Sequence, residues 1–211
     1  MNILARLKLG RLQPFRLGLM WLQAAAVLLC LQATVAGAAP HMRMRPIAHA
    51  HVFLLRGAFN IFSLGMDAMA ARLRGPGVAA TVANYLSWPS LANEAVAEYK
   101  SGRTRTIIIV GHSSGATAVT EMAARLGQFG VPVKLAIGLD PTSPMTAAGH
   151  VDRYINYYIA NGLGKAVRPG PDFNGDIENV DVERDAALNH FNIDKDRALQ
   201  DQVLREIRAA L

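Results

Sequence analysis

Cysteine is nearly absent from this chain: Cys30 is the only one in 211 residues. A single thiol excludes an internal disulfide framework and a multi-cysteine zinc site. Acidic residues are missing from positions 1–38, although the whole chain carries 16 of them against 22 Lys and Arg. Internal repeats and low-complexity runs are also missing, so nothing suggests a solenoid or a disordered tract. The segment Gly162-Leu163-Gly164-Lys165 is no phosphate-binding loop, because Ile159 stands where that motif requires its first glycine.

The missing acids have a simple explanation. Arg6, Lys8, Arg11 and Arg16 precede an apolar run from Leu17 to Val35, and Ala36-Gly37-Ala38 follows directly. A basic start, an apolar core and a small-residue A-x-A site are the parts of a secretory signal peptide, with cleavage expected after Ala38. An uncleaved membrane anchor is the alternative, since about 20 apolar residues can span a bilayer. Export to the periplasm or the extracellular space is therefore expected, with membrane contact only through this segment if it stays attached. Residues 39–50 read as a Pro- and Arg-containing lead-in, and 51–211 as one catalytic-sized domain.

Charge is redistributed by this division. The whole chain has a formal charge of +6, but four basic residues lie in the leader, and the 18 left face 16 acids. A near-neutral remainder lacks the concentrated positive face that nucleic-acid binding requires, so no nucleic-acid partner is expected. Nothing in the sequence fixes an oligomeric state.

Beyond the lead-in, strands alternate with helices. The sequence predicts strands at 51–55, 78–85, 106–110, 131–139, 153–159 and 177–182. It predicts helices at 63–74 (with Ser63 as N-cap), 90–99, 115–129 and 194–211. Thr106-Ile107-Ile108-Ile109-Val110 is apolar on both faces, as in a central strand covered by helices on both sides. Strands separated by helices of this length imply βαβ units and a three-layer α/β sandwich with a mostly parallel, doubly wound sheet.

That central strand runs into Gly111-His112-Ser113-Ser114-Gly115, and a helix follows. This is the G-x-S-x-G nucleophile elbow in its strand–turn–helix setting. The turn is so tight that only glycine fits at the flanking positions, and the next helix points its free amides at an anion beside the serine. By composition the pattern arises by chance about 0.05 times in such a chain, before its flanking elements are considered.

With these residues the sequence resembles the α/β-hydrolase family, in its small, lidless lipase and esterase forms. Gly138-Leu139-Asp140-Pro141 looks like the G-L-D-P of pancreatic-type lipases, whose Asp is the triad acid, and Asn189-His190 is similar to their N-H. The resemblance implies a minimal α/β-hydrolase fold without a cap domain. It implies Ser113 as nucleophile, His190 as base and Asp140 as acid. It also implies oxyanion donors at the backbone N–H groups of Ser114 and Ala58, with Phe59 as fallback and Arg56-Gly57 where relatives often have His-Gly. Asp172 and Asp176 remain alternatives for the acid, and His150 for the base.

The expected activity is hydrolysis of a small-molecule or lipid ester, or of a thioester, through an acyl-enzyme, with no metal or organic cofactor. Two alternatives stay open: a catalytically silent binding module of the same fold, and an amidase or acyltransferase using the same three residues. His112 is expected to pack away from Ser113. His49 and His51 share a strand face, with no third ligand expected nearby, so a role at the start of the strand is preferred to metal binding. About 12 residues separate Asp140 from the next strand, too few for a helical lid, and the loop 160–175 is the expected cover.

Overall fold

A computed structural model describes residues 49–74, 78–183 and 188–211. The expected leader and most of the lead-in lie outside them. Among the described residues twelve regular elements follow in order: β1 (His49–Arg56), α1 (Gly65–Arg74), β2 (Ala79–Asn84), α2 (Trp88–Lys100), β3 (Thr104–His112), α3 (Ser114–Gln128), β4 (Val133–Leu139), β5 (Met145–Ala147), β6 (Val151–Tyr158), β7 (Val167–Pro169), β8 (Asp176–Asp181) and α4 (Arg197–Ala210). Single 3-10 turns at Asn60–Phe62 and Tyr85–Ser87 lead into α1 and α2. The lead-in is shorter than expected, because His49 and Ala50 already belong to β1.

Six strands form one sheet in the order β2-β1-β3-β4-β6-β8, and every pairing is parallel. The order reverses at β1, so β1 and β3 flank the topological switch point. Chains leaving the carboxyl ends of neighbouring strands on either side of such a point diverge and leave a crevice. The short strands β5 and β7, which the sequence pattern did not predict, pair with each other outside this sheet.

Alternation along the strands divides the core in two. Phe53, Leu55, Ile107, Ile109 and Tyr154 pack toward α2 and α3. Val52, Leu54, Ile108, Val110 and Tyr157 pack toward α1 and α4. The predicted Thr106–Val110 strand therefore is the double-sided centre of the sheet. The amphipathic pattern from 194 onward turns its Val203, Leu204 and Ile207 face onto the second core.

The start of α1 differs from expectation. Ser63 does not cap the helix with its side chain. Instead, Asp194 reaches across 129 residues, and its Oδ2 accepts from the Gly65 N–H at 2.8 Å. The Ser63 hydroxyl is free for the contacts described next.

Candidate active site

Ser113 stands between β3 and α3 with φ 58° and ψ −122°, a backbone conformation costly for any residue with a Cβ. Close contact explains the glycines around it. A Cβ on Gly111 would run into the Gly115 carbonyl, and one on Gly115 into the Leu55 carbonyl. The Ser113 N–H donates to the Leu139 carbonyl at 2.9 Å, which ties the turn to the end of β4.

Asp140 follows β4 directly. It is fully buried, with φ 50°. Its Oδ1 accepts from the Ile159 N–H at 2.9 Å. Its Oδ2 lies 2.7 Å from His190 Nδ1, and His190 Nε2 lies 2.9 Å from Ser113 Oγ. A carboxylate oxygen can only accept, so Nδ1 carries the ring proton and the bare Nε2 accepts from the serine hydroxyl. Three side chains from three loops at the carboxyl ends of the strands thus form one hydrogen-bonded line.

The other candidates lie elsewhere. Asp176 opens β8 and is paired with Arg153 near the start of β6, and His150 directly precedes β6. In a parallel sheet both stand at the amino ends of the strands, roughly 20 Å from the carboxyl edge at about 3.3 Å per residue. Asp172 lines a surface hollow with His150 and Gly149 at that same far edge. Position in the sheet removes all three from the neighbourhood of Ser113.

Gly57, Ala58, Ser113 and Ser114 line one cavity of about 240 Å³ with His190. Arg56, next to this loop, turns away from the cavity and pairs with Asp67 on α1 through Nε at 2.8 Å. The ion pair holds the Asp67 carboxyl below its usual range, chiefly through the hydrogen bond.

His112 was expected only to pack. It is buried, and both ring nitrogens are engaged. Nε2 lies 2.9 Å from the His190 carbonyl, and Nδ1 lies 2.9 Å from Ser63 Oγ, which in turn accepts from the Gly57 N–H at 2.9 Å. The carbonyl requires a proton on Nε2, so Nδ1 accepts from the Ser63 hydroxyl. Burial pushes the His112 pKa down to about 4, which keeps the ring neutral. One neutral imidazole therefore links the backbone of His190 to the loop bearing Gly57 and Ala58. The helical pattern around Ser63 and the elbow motif around His112 concealed this link, because it joins residues 49 positions apart.

The loop 160–175 is only in part a cover. Leu163 lines the cavity over Ser113, while Val167–Pro169 leaves to pair with β5. The loop is pinned by Asn156 Nδ2 to the Lys165 carbonyl at 3.0 Å and by Asn179, which brackets both backbone groups of Val167. The span between Asp140 and β6 contains one short strand and no helix. Gly164 lies so close that a Cβ there would fall on Asp140 Oδ1 and come within 2.8 Å of the Ile159 N. Gly164→Ala is expected to displace the carboxylate and lower ester kcat/KM by about 10²-fold, the usual consequence of a misplacement of ~1 Å. Kinetics with the circular dichroism spectrum retained checks it; full activity sinks the idea.

His51 Nδ1 lies 2.8 Å from Glu98, and its Nε2 lies 2.8 Å from Thr81 Oγ1. Glu94 also brings its carboxylate close, so acidic neighbours do exist, contrary to expectation. Both His51 nitrogens are nevertheless satisfied by protein partners. The start-of-strand role is the one this geometry describes for His51, while His49 occupies the strand's first, exposed position, before a register shift at Ala50.

No family model matches the chain, and no curated protein matches it significantly. Among solved structures it is similar to the type II thioesterase BorB from the borrelidin biosynthetic cluster, at a TM-score of 0.53 and 12% identity, covering 79% of this chain and 94% of that one. It is also similar to an acetylxylan esterase, at a TM-score of 0.47 and 15% identity, covering 77% and 98%. At such identities the first likeness speaks for the fold alone.

Proposed function

We propose that this chain, which has the α/β-hydrolase fold, is an exported serine hydrolase that cleaves carboxylic esters or thioesters. The observation that carries the proposal is the unbroken line from Asp140 Oδ2 through the His190 ring to Ser113 Oγ, at 2.7 and 2.9 Å. Export rests on the leader pattern in residues 1–38. Among the described residues, no helix is long and apolar enough to cross a membrane.

The chemistry follows from the geometry. Ser113 Oγ attacks the acyl carbon while its proton moves to His190 Nε2. The charge that develops on the substrate oxygen is met by the backbone N–H groups of Ser114 and Ala58. Asp140 holds the ring with its proton on Nδ1 and stabilises the imidazolium. Collapse expels the alcohol or thiol, which takes the Nε2 proton and leaves an acyl group on Ser113. Water then repeats the sequence on the acyl-enzyme, releasing the acid and regenerating Ser113. No metal or organic cofactor enters any step.

A fluorophosphonate probe separates this reading from a silent binding module. It is expected to add one adduct to the intact protein, mapped to Ser113 by peptide mass and absent from Ser113→Ala. An unlabelled, folded wild-type protein rejects the proposal. A labelled protein that cleaves anilides or transfers acyl groups to added alcohols faster than it hydrolyses esters favours the amidase or acyltransferase reading.

A further inference from the structure

Large apolar side chains that remain exposed are concentrated around Ser113. Phe59 is 72% exposed, Phe191 54% and Leu163 53%, and with Phe62 they line the cavity that contains the serine. The rings touch edge to face: Phe59 with Phe62 at 6.3 Å between centroids, and Phe62 with Phe191 at 5.4 Å. A contiguous wet aromatic rim is costly unless something apolar covers it.

A second cavity of about 460 Å³ adjoins the first and shares Leu163, His190 and Phe191 with it. It does not include Ser113, and its wall is mixed: Ile159, Leu163, Leu188 and Phe191 are apolar, with polar residues set among them. Asn161, Glu183 and Asn189 are among the residues that line it; Asn161 Nδ2 donates to Glu183 at 2.6 Å, and Asn189 Oδ1 accepts from the Phe191 N–H at 2.9 Å. Leu163, His190 and Phe191 together border both spaces.

On the hydrolase reading above, on which this inference rests, the two cavities must hold different halves of the substrate. The reacting carbonyl carbon sits against Ser113 with its oxygen toward Ser114 and Ala58, so the acyl group starts in the first cavity. The leaving oxygen must lie against His190 Nε2 to receive its proton, so the alcohol departs past His190 toward the second cavity. We propose that the substrate is an apolar acyl chain esterified to a hydroxyl-bearing alcohol, with the chain under Phe59, Phe62 and Phe191 and the alcohol hydroxyls on Asn161, Glu183 and Asn189.

The test uses two series of dissolved esters, each kept below its aggregation concentration. In p-nitrophenyl acetate, butyrate, hexanoate and octanoate only the acyl chain varies. There kcat/KM is expected to rise about two- to fourfold per added methylene, the upper figure being that of full burial. Phe62→Ser is expected to lower the octanoate-to-acetate ratio at least about tenfold. Leu86→Ser, exposed but lining neither cavity, is expected to leave that ratio unchanged. In the second series, glycerol monobutyrate is expected to exceed butyl butyrate about tenfold in kcat/KM, the size of one or two hydrogen bonds. Asn161→Ala should reduce that preference without altering the acyl ratio.

Acetate turned over as well as octanoate overturns the acyl assignment, and a preference for butyl butyrate overturns the alcohol assignment. Activity that appears only once the substrate aggregates, and that Leu86→Ser abolishes, also overturns the proposal and assigns the rim to a lipid surface. Fluorophosphonate labelling distinguishes the levels of failure. Labelled protein with no chain-length preference defeats this inference alone, whereas unlabelled protein defeats the hydrolase reading beneath it.

Discussion

Asp140→Asn is expected to lower kcat by about 10⁴-fold with little change in fold or substrate binding. The substitution is nearly isosteric at a fully buried position. The side chain has two partners that constrain it differently. The Ile159 N–H needs an acceptor, which the asparagine Oδ1 supplies where Asp140 Oδ1 now stands. That choice turns the new NH₂ toward His190 Nδ1. An NH₂ facing Nδ1 demands a bare nitrogen there, so the ring proton moves to Nε2. With Nε2 protonated, His190 cannot take the Ser113 proton, and the serine stays a weak nucleophile. Asp172→Asn and Asp176→Asn, at the far edge of the sheet, are expected to stay within about twofold of wild type, since substitutions away from the site carry no such mechanism. Steady-state kinetics on one soluble ester measures all three variants. An Asp140→Asn enzyme with near-normal kcat, or a large loss at Asp172 or Asp176, refutes the assignment of the acid.

That residue also shows what kind of information the chain displays openly. Asp140 is announced by its position at the end of an apolar strand, and Ser113 by glycines that must flank it. Both signals arise from local backbone demands, so they survive in the linear sequence. The double-sided strand at 106–110 is visible for a similar reason: burial on both faces leaves no polar alternation. The distinction between Asp140 and Asp176 is not local. It depends on which end of a parallel sheet each one occupies, and that follows only from the pairing of β6 with β8.

Residues whose partners are remote in sequence were hidden for the same reason. Ser63 looks like an N-cap because serine before an apolar helical run usually is one. Its hydroxyl serves His112 instead, and a carboxylate from Asp194 takes over at the helix start. Gly164 looks like an ordinary loop glycine until the chain folds it against the Asp140 carboxylate. Met145–Ala147 and Val167–Pro169 are too short to show any periodicity, and each is a strand only because the other is present.

The buried link through His112 carries the second large effect, expressed in stability as a function of pH. The ring is almost fully buried and neutral, with its pKa lowered from 6.5 to about 4 by desolvation. In the unfolded chain the same ring takes up a proton near pH 6.5. Its contribution is therefore fully present above pH 6.5 and is lost as pH falls toward 4, a loss of roughly 2 to 3 kcal/mol by pH 4.5. Asp194 works in the opposite direction. Burial raises its carboxyl to about 6, so its contribution grows as pH falls through the interval between 6 and 3.8. The wild-type profile alone mixes the two, and a comparison with His112→Phe isolates the histidine. Phenylalanine fills a similar volume but leaves the His190 carbonyl and the Ser63 hydroxyl without their partner, a cost of about 3 kcal/mol at pH 7. Urea denaturation is expected to show that gap at pH 7 and to show it closing to under about 1 kcal/mol at pH 4.5, because only the wild type loses stability through residue 112. A gap that stays constant across the range contradicts a neutral buried ring. Catalysis supplies an independent readout, since the same substitution frees the backbone that carries the base. His112→Phe is expected to lower kcat by about 10- to 100-fold through misplacement of His190. His112→Gln, whose amide can still donate to the His190 carbonyl, is expected to recover most of that loss. Recovery of stability by glutamine without recovery of kcat would reduce His112 to a packing residue.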